Sequence, residues 1–278
     1  MQRVIVSFLR WILPLSVVWG LSFPLTKIIT FSISPMIVSV ARVAVGSIFF
    51  YLLGRGISIG IKQFINALLN FIIFLSFLNL GINFSPNPGL VAIMVYTQPV
   101  FVLLIEYFLG NRISTKGIIG VILGVIGVIS SATLSFNLGL LFGIIASLSW
   151  AGGTIYYSRK LTNENLIKLN AFMTLISIPF LSALTPIDYY FNYNLFSLIL
   201  LVILALLAQV MGFYFWFNGV KELGSIYASS GALLVPVMAY VLSFLILKVI
   251  PTPVQIIGSI ITLIGVYLTI SSRIVRNK

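Results

Sequence analysis

The chain of 278 residues has no cysteine, no histidine and only four acidic residues, Glu106, Glu164, Asp188 and Glu222. Without cysteine it can form no disulfide, present no thiolate nucleophile and offer a metal no sulfur ligand, and it carries no mark of its redox compartment. Nucleophilic, metal-assisted and acid–base catalysis all draw on clustered Cys, His, Asp, Glu or activated Ser, so this inventory argues against an enzyme. Charged residues of both signs make up 7% of the chain against 60% hydrophobic, and the mean hydropathy is +1.18. That leaves too little polar surface to coat a water-exposed globule. Long polar segments are missing as well. No gap between apolar stretches is large enough for a folded extramembrane domain, and there is no Walker motif to bind ATP.

What is present is a series of ten apolar stretches, at about residues 11–30, 35–54, 65–82, 88–109, 114–133, 138–158, 167–185, 195–217, 224–247 and 252–272. Each approaches the roughly 20 residues that a helix needs to cross a bilayer. If the chain weaves through at each one, Arg3, Arg10, Arg55, Lys62, Arg112, Lys116, Arg159, Lys160, Lys168, Lys221, Arg273, Arg276 and Lys278 fall on one side, against Lys248 alone on the other. By the positive-inside rule the crowded side is the cytoplasm, and both termini are expected there. The net charge of +12 then reports orientation and attraction to anionic headgroups rather than nucleic-acid binding. The first stretch follows Arg3 and Arg10 and has no clear small-residue cleavage site, so it reads as a retained signal anchor. The expectation is an all-α, multi-pass protein of the cell (plasma) membrane.

The chain also repeats itself. Gly117-Ile118-Ile119-Gly120 followed by Gly127-Val128 is matched by Gln255-Ile256-Ile257-Gly258 followed by Gly265-Val266. One stretch earlier Gln98-Pro99-Val100 pairs with Val235-Pro236-Val237, and each half opens with a related pair, Trp19-Gly20 and Trp150-Ala151. Residues 1–133 and 138–278 thus form two repeats of five helices. An odd number forces the second to enter the membrane in the opposite sense, the inverted repeat of many secondary transporters. Glycines 117, 120, 124 and 127, mirrored in part by Gly258 and Gly265, fit close helix approach. They leave open whether the approach is between repeats or between protomers, hence whether the protein is a monomer or a homodimer.

These motifs carry a resemblance over nearly the whole chain. Trp19-Gly20-Leu21-Ser22-Phe23 with Lys27, Arg42, Pro99-Val100-Phe101 leading to Leu109-Gly110, and Leu233-Leu234-Val235-Pro236-Val237 occur with the glycine motifs in one order. In this the chain resembles the EamA family of the drug/metabolite transporter superfamily, whose members carry ten helices as two five-helix repeats. The resemblance implies transport of amino acids and similar metabolites, often outward. Members often have a Glu just after the helix with the repeated proline, where this chain has Asn111 and Val249. The small multidrug resistance relatives use a Glu in their first helix, and residues 11–30 contain none.

The bilayer centre therefore lacks an acidic group. Proton-driven carriers move H⁺ through buried Asp, Glu or His, so a facilitator or exchanger fits better, with proton-coupled antiport through Glu106 as the alternative. Helical spacing selects the residues that line a path. Trp19, Ser22, Phe23 and Thr26 share one stripe of the first helix, and Trp150, Gly153, Thr154 and Tyr157 an equivalent stripe of the sixth. Ala92, Tyr96 and Pro99 share a face of the fourth, and Ser229, Pro236 and Tyr240 one of the ninth. Pro99 and Pro236 each remove a backbone donor in mid-helix. The amides Gln98, Gln209, Asn79 and Asn218 need partners, on another helix or on a solute.

Lys27, near the end of its helix, can snorkel to the interface. Arg42 lies roughly 10 Å deep, at 1.5 Å per residue from Pro35, with no acid on a neighbouring stretch as an evident partner. The two cations would make an electropositive vestibule attractive to carboxylates. The expectation is a secondary transporter working by alternating access without a cofactor, for a small amino-acid-like solute. A zwitterion such as an aromatic amino acid is compatible with these walls, as are a nucleobase and a drug. A membrane scaffold is the alternative from another class, and it would have no use for paired Trp, Tyr and Pro at mid-depth.

Overall fold

A computed structural model of the chain describes residues 2–85, 88–130, 137–248 and 250–276, the side chains of 88–90 and 273–276 excepted. Val249, Lys278 and positions 131–133 of the fifth expected span lie outside the described residues, as do the side chains of Arg273 and Arg276. The described chain is helical, with one isolated β-bridge between Ile33 and Phe191. Its helices are α1 (Gln2–Ile29), α2 (Pro35–Gly54), α3 (Ile61–Phe84), α4 (Val91–Phe108, continuing a turn that starts at Pro88), α5 (Thr115–Ser130), α6 (Leu138–Lys160), α7 (Leu166–Ser182), α8 (Leu195–Leu223), α9 (Ser225–Leu247) and α10 (Pro253–Arg276). Among the described residues eight are long and apolar enough to cross a membrane, whereas α5 and α7 are shorter apolar helices. The chain is a multi-pass membrane protein.

Local chemistry sets the ends. Pro35 starts α2, where a missing N–H costs nothing. Asn137, Asn165 and Asn194 cap α6, α7 and α8 by accepting from Leu140, Ile167 and Phe196 amides at 3.0–3.1 Å. Gly224, at φ 83, turns α8 into α9 in one residue. Two helices outrun their apolar stretches furthest. α1 begins at Gln2 and α8 continues to Leu223, because charged residues such as Arg3, Arg10 and Lys221 end a hydropathy window without ending a helix.

The long helices are not uniform. α3 loosens into π-helical geometry at Leu68–Ile73, and α8 does so at Ala205–Met211. α4 breaks at Tyr96-Thr97 and α9 at Leu233, just ahead of Pro99 and Pro236. The cause is steric: each proline lacks the N–H, and has no room for the carbonyl, that would continue the helix from Val95 or Ala232. The irregularities of α3 and α4 thus recur at the matching places in α8 and α9, whereas a further π-helical stretch at Phe8–Ile12 of α1 has no counterpart in α6.

Packing follows the same order. α5 lies on α10, α2 on α7, α1 on α9, and α6 on α3 and α4. The glycine stripe makes the α5–α10 contact within one chain. A Cβ on Gly127 would stand 2.5 Å from the Gly258 carbonyl oxygen, and one on Gly120 2.6 Å from the Thr269 amide nitrogen. We call the end of the bundle carrying residues 30–34 and 188–192 the upper end. There Ser34 N–H donates to the Tyr190 carbonyl at 3.0 Å, and Asn192 N–H to that of Ser32 at 2.7 Å.

Candidate functional site

Between α1, α2, α3, α4, α6, α8 and α9 lies a cavity of about 710 Å³, within the size of small-molecule sites. It rises from the middle of the bundle to the upper end, where Lys27 and Tyr190, both exposed, stand at its mouth. Trp19, Ser22, Phe23 and Thr26 bring one stripe of α1 to its wall. α2 contributes Ser39 and Arg42, α3 Phe74 and Asn79, α4 Ala92 and Tyr96, and α9 Ser243.

Its floor is aromatic. The Trp19 ring meets Trp150 edge-on at 5.6 Å and Phe213 at 5.4 Å, and Trp150 lies 4.9 Å from Trp216 and 5.5 Å from Phe74. Such pairs each add about 0.5–1.5 kcal/mol beyond area burial, so the floor is a stiff plug. The π-turn in α8 fixes its position. In that turn Gly212 N–H bonds to the Leu207 carbonyl, leaving the carbonyl of Ala208 for the Trp19 indole N–H at 2.9 Å. Across the bundle the Ser149 hydroxyl of α6 donates to the Leu69 carbonyl inside the π-turn of α3, at 2.8 Å.

The polar groups of the wall divide into satisfied and unsatisfied. Ser39 and Asn79 bond each other at 2.9 Å. Arg42 is half-buried, its Nε without an acceptor, and it lies within electrostatic reach of Tyr96. No Asp or Glu is among the lining residues.

At the lower end Glu106 of α4, only 4% exposed, is fully engaged. It pairs with Arg159 of α6 at 2.9 Å and accepts from the Ser225 hydroxyl of α9 and from the Asn111 amide. The sequence offers Glu106 as the proton carrier of an antiporter; the structure surrounds it with partners. Asn111, where the family often has Glu, serves here as one of them.

Of the residues expected to line a path, Trp19, Ser22, Phe23, Arg42, Asn79, Tyr96 and Trp150 meet in this cavity. Gln98, Thr154, Tyr157, Gln209 and Ser229 are instead buried among the helices around and beneath the floor. Gln98 donates to Thr154 at 3.1 Å, and Tyr157 packs against Phe217 in a tilted contact with ring centroids 4.5 Å apart. Both amide atoms of Gln209 and the Ser229 hydroxyl lack hydrogen-bond partners. Tyr240 is half-buried one turn from Ser243, and Pro99 and Pro236 are buried behind the two helix breaks. Asn218 bonds its own helix, at the Tyr214 carbonyl. The sequence reading missed Phe74, Phe213, Trp216 and Ser39. Phe213 and Trp216 follow Gln209 at four and seven residues, and that helical stripe was a usable signal.

A helical membrane bundle holding a solute-sized cavity with aromatic and cationic walls has the form of a membrane carrier. The chain belongs to the EamA-like transporter family, whose model matches residues 7–133 and again 137–271. It is 26% identical to a probable amino-acid metabolite efflux pump of Escherichia coli (strain K12), over 91% of each chain. It is 26% identical to an uncharacterized transporter of Archaeoglobus fulgidus, over 95% of this chain and 99% of that one. A crystal structure 15% identical in sequence has the same fold, with a TM-score of 0.77 across 99% of this chain and 98% of its own. The protein is accordingly a membrane transporter and not an enzyme.

Proposed function

We propose that the protein exports a small amino-acid-like metabolite across the plasma membrane by alternating access, as a facilitator or exchanger, with the 710 Å³ cavity as its solute site. The carrying observation is that this cavity reaches only one end of the bundle. An aromatic floor lies under it, and the Glu106–Arg159 pair joins α4, α6 and Ser225 of α9 beyond the floor. A carrier that opens one side at a time needs this pairing of an open and a closed end. The efflux pump relative supports the solute class and the direction.

In this reading ten helices cross the membrane as two inverted repeats, residues 1–133 and 138–278. The lower end with both termini is cytoplasmic, because the basic loops gather there. The recurrence of the π-turns and of the breaks before Pro99 and Pro236 supports the repeats. So does the exchange of partners, with α1 on α9 and α6 on α4. The state described is open to the outside. Coupling to a proton is disfavoured because the wall has no carboxyl group and Glu106 is held in an ion pair.

The test is counterflow in proteoliposomes of the purified protein, loaded with pooled amino acids and scored for uptake of labelled ones, with and without a pH gradient. Exchange that ignores the gradient is expected. Uptake only with the gradient would replace the facilitator by proton antiport, and silence in both arms would remove amino acids as the solute class.

A further inference from the structure

The cavity has cations on its wall and no carboxylate among its lining residues; Asp188 stands outside the lining at the upper end, bonded to the Met36 amide and within electrostatic reach of Tyr190. Arg42 projects from α2 into it and Lys27 stands at its mouth, while every other lining side chain is aromatic, aliphatic or a neutral polar group. The ion pair among the described residues, Glu106–Arg159, lies at the other end of the bundle. Among the described residues no carboxylate pairs with Arg42, and its Nε is buried without an acceptor. A guanidinium presents its donors in a fixed fork suited to a carboxylate, and one half-buried without a partner is costly until something completes it. The neighbouring Ser39–Asn79 pair already satisfies itself, so it does not neutralise the charge.

A zwitterion brought to this wall gains at one end and loses at the other. Its carboxylate can reach Arg42, yet its ammonium enters a chamber holding two cations and no acid. The compensation there comes from neutral groups, the hydroxyl oxygens of Ser22, Thr26 and Ser243 and the ring faces of Trp19, Phe23 and Tyr96, each a weaker partner for an ammonium than a carboxylate. An anion with the same body has the first interaction without the penalty. The floor of Trp19, Trp150 and Phe74 then suits a flat apolar body.

We infer that the site selects a monocarboxylate with an apolar, ring-sized body, held by Arg42, and that an α-amino group weakens binding. This rests on the reading of the cavity as the solute site and, within amino-acid-like solutes, ranks deaminated or otherwise net-anionic relatives above the zwitterions.

The test is calorimetric binding of three probes with one ring and one chain length: 3-phenylpropanoate, phenylalanine and 2-phenylethylamine, at pH 7, to the purified full chain. The expected order is anion first, zwitterion about tenfold weaker or more, amine last. In Arg42→Gln the anion falls to the level of the zwitterion, and Arg42→Lys keeps part of the preference, which separates charge from folding. Equal or tighter binding of phenylalanine overturns the inference and leaves the cavity standing as a solute site. Unchanged anion binding in Arg42→Gln overturns the role of Arg42. If none of the three probes binds, the cavity itself fails as the solute site and the inference falls with it.

Discussion

The indole N–H of Trp19 donates to the carbonyl of Ala208 at 2.9 Å, an acceptor that regular α-helical bonding would have filled from Gly212. The chain thus uses an irregular turn in α8 to seat a side chain of α1 at the base of the cavity. Gly212 completes the seat: a Cβ there would stand 2.2 Å from the Trp19 Nε1.

Trp19→Phe keeps a ring in the floor but leaves the Ala208 carbonyl without its partner, at a cost of about 1–3 kcal/mol. Gly212→Ala forces the indole aside at a similar cost of about 1–3 kcal/mol. Because both act on one contact, the double variant is expected to lose less than the sum of the two. Thermal unfolding of the four proteins in mild detergent measures this; strict additivity would separate the two residues.

How much of this was legible beforehand depends on the range of the interaction. The positions of the helices follow from apolar runs and from prolines and asparagines at their ends, all local signals. The α1 stripe of Trp19, Ser22, Phe23 and Thr26 meets the cavity as one wall. The same reasoning applied to α6 brings only Trp150 to the cavity, because α6 runs the other way and Thr154 and Tyr157 descend beneath the floor. Spacing gives a face, not a depth. The π-turns left no residue signature, and the partners of Glu106 come from Asn111, Arg159 and Ser225, which no sequence window brings together.

Glu106→Gln removes the charge that joins α4 to α6 while keeping an oxygen for Ser225. Arg159 is 39% exposed, so solvent screens the pair and the loss is expected to be about 1 kcal/mol or less. That still shifts the population toward the state open below. With no native cysteine, a single cysteine replacing Ser229 reports this cleanly. Its labelling by a thiol reagent from the cytoplasmic side is expected to rise several-fold in Glu106→Gln; an unchanged rate would deny the pair a gating role.

Gly265→Ala would place a Cβ 2.3 Å from the Gly124 amide nitrogen, a backbone atom that cannot step aside. α10 must then move off α5, and a lower melting temperature with reduced yield of folded protein is expected. Gly152→Ala, whose Cβ meets nothing nearer than 4.0 Å, should be neutral in the same assay.

At the upper end Asp188 accepts from the Met36 amide at 3.2 Å. Burial nonetheless raises its carboxyl above the usual 3.8, outweighing that hydrogen bond. The folded state then binds the proton more readily than the unfolded one, so stability falls as pH rises from 3.8 through the folded value. Asp188→Asn keeps an acceptor for Met36 and is expected to flatten this part of the melting temperature against pH; a profile unchanged by the substitution would contradict it.

In the proposed cycle, solute crosses through the cavity above the Trp19–Trp150 floor. Ser22→Cys gives the otherwise cysteine-free chain one thiol on the cavity wall. Amino-acid counterflow would be measured in proteoliposomes before and after that thiol takes a bulky maleimide. Exchange is expected to proceed in the unmodified variant and to stop on modification, with wild-type protein untouched by the reagent. Exchange continuing at full rate past the filled cavity would contradict it.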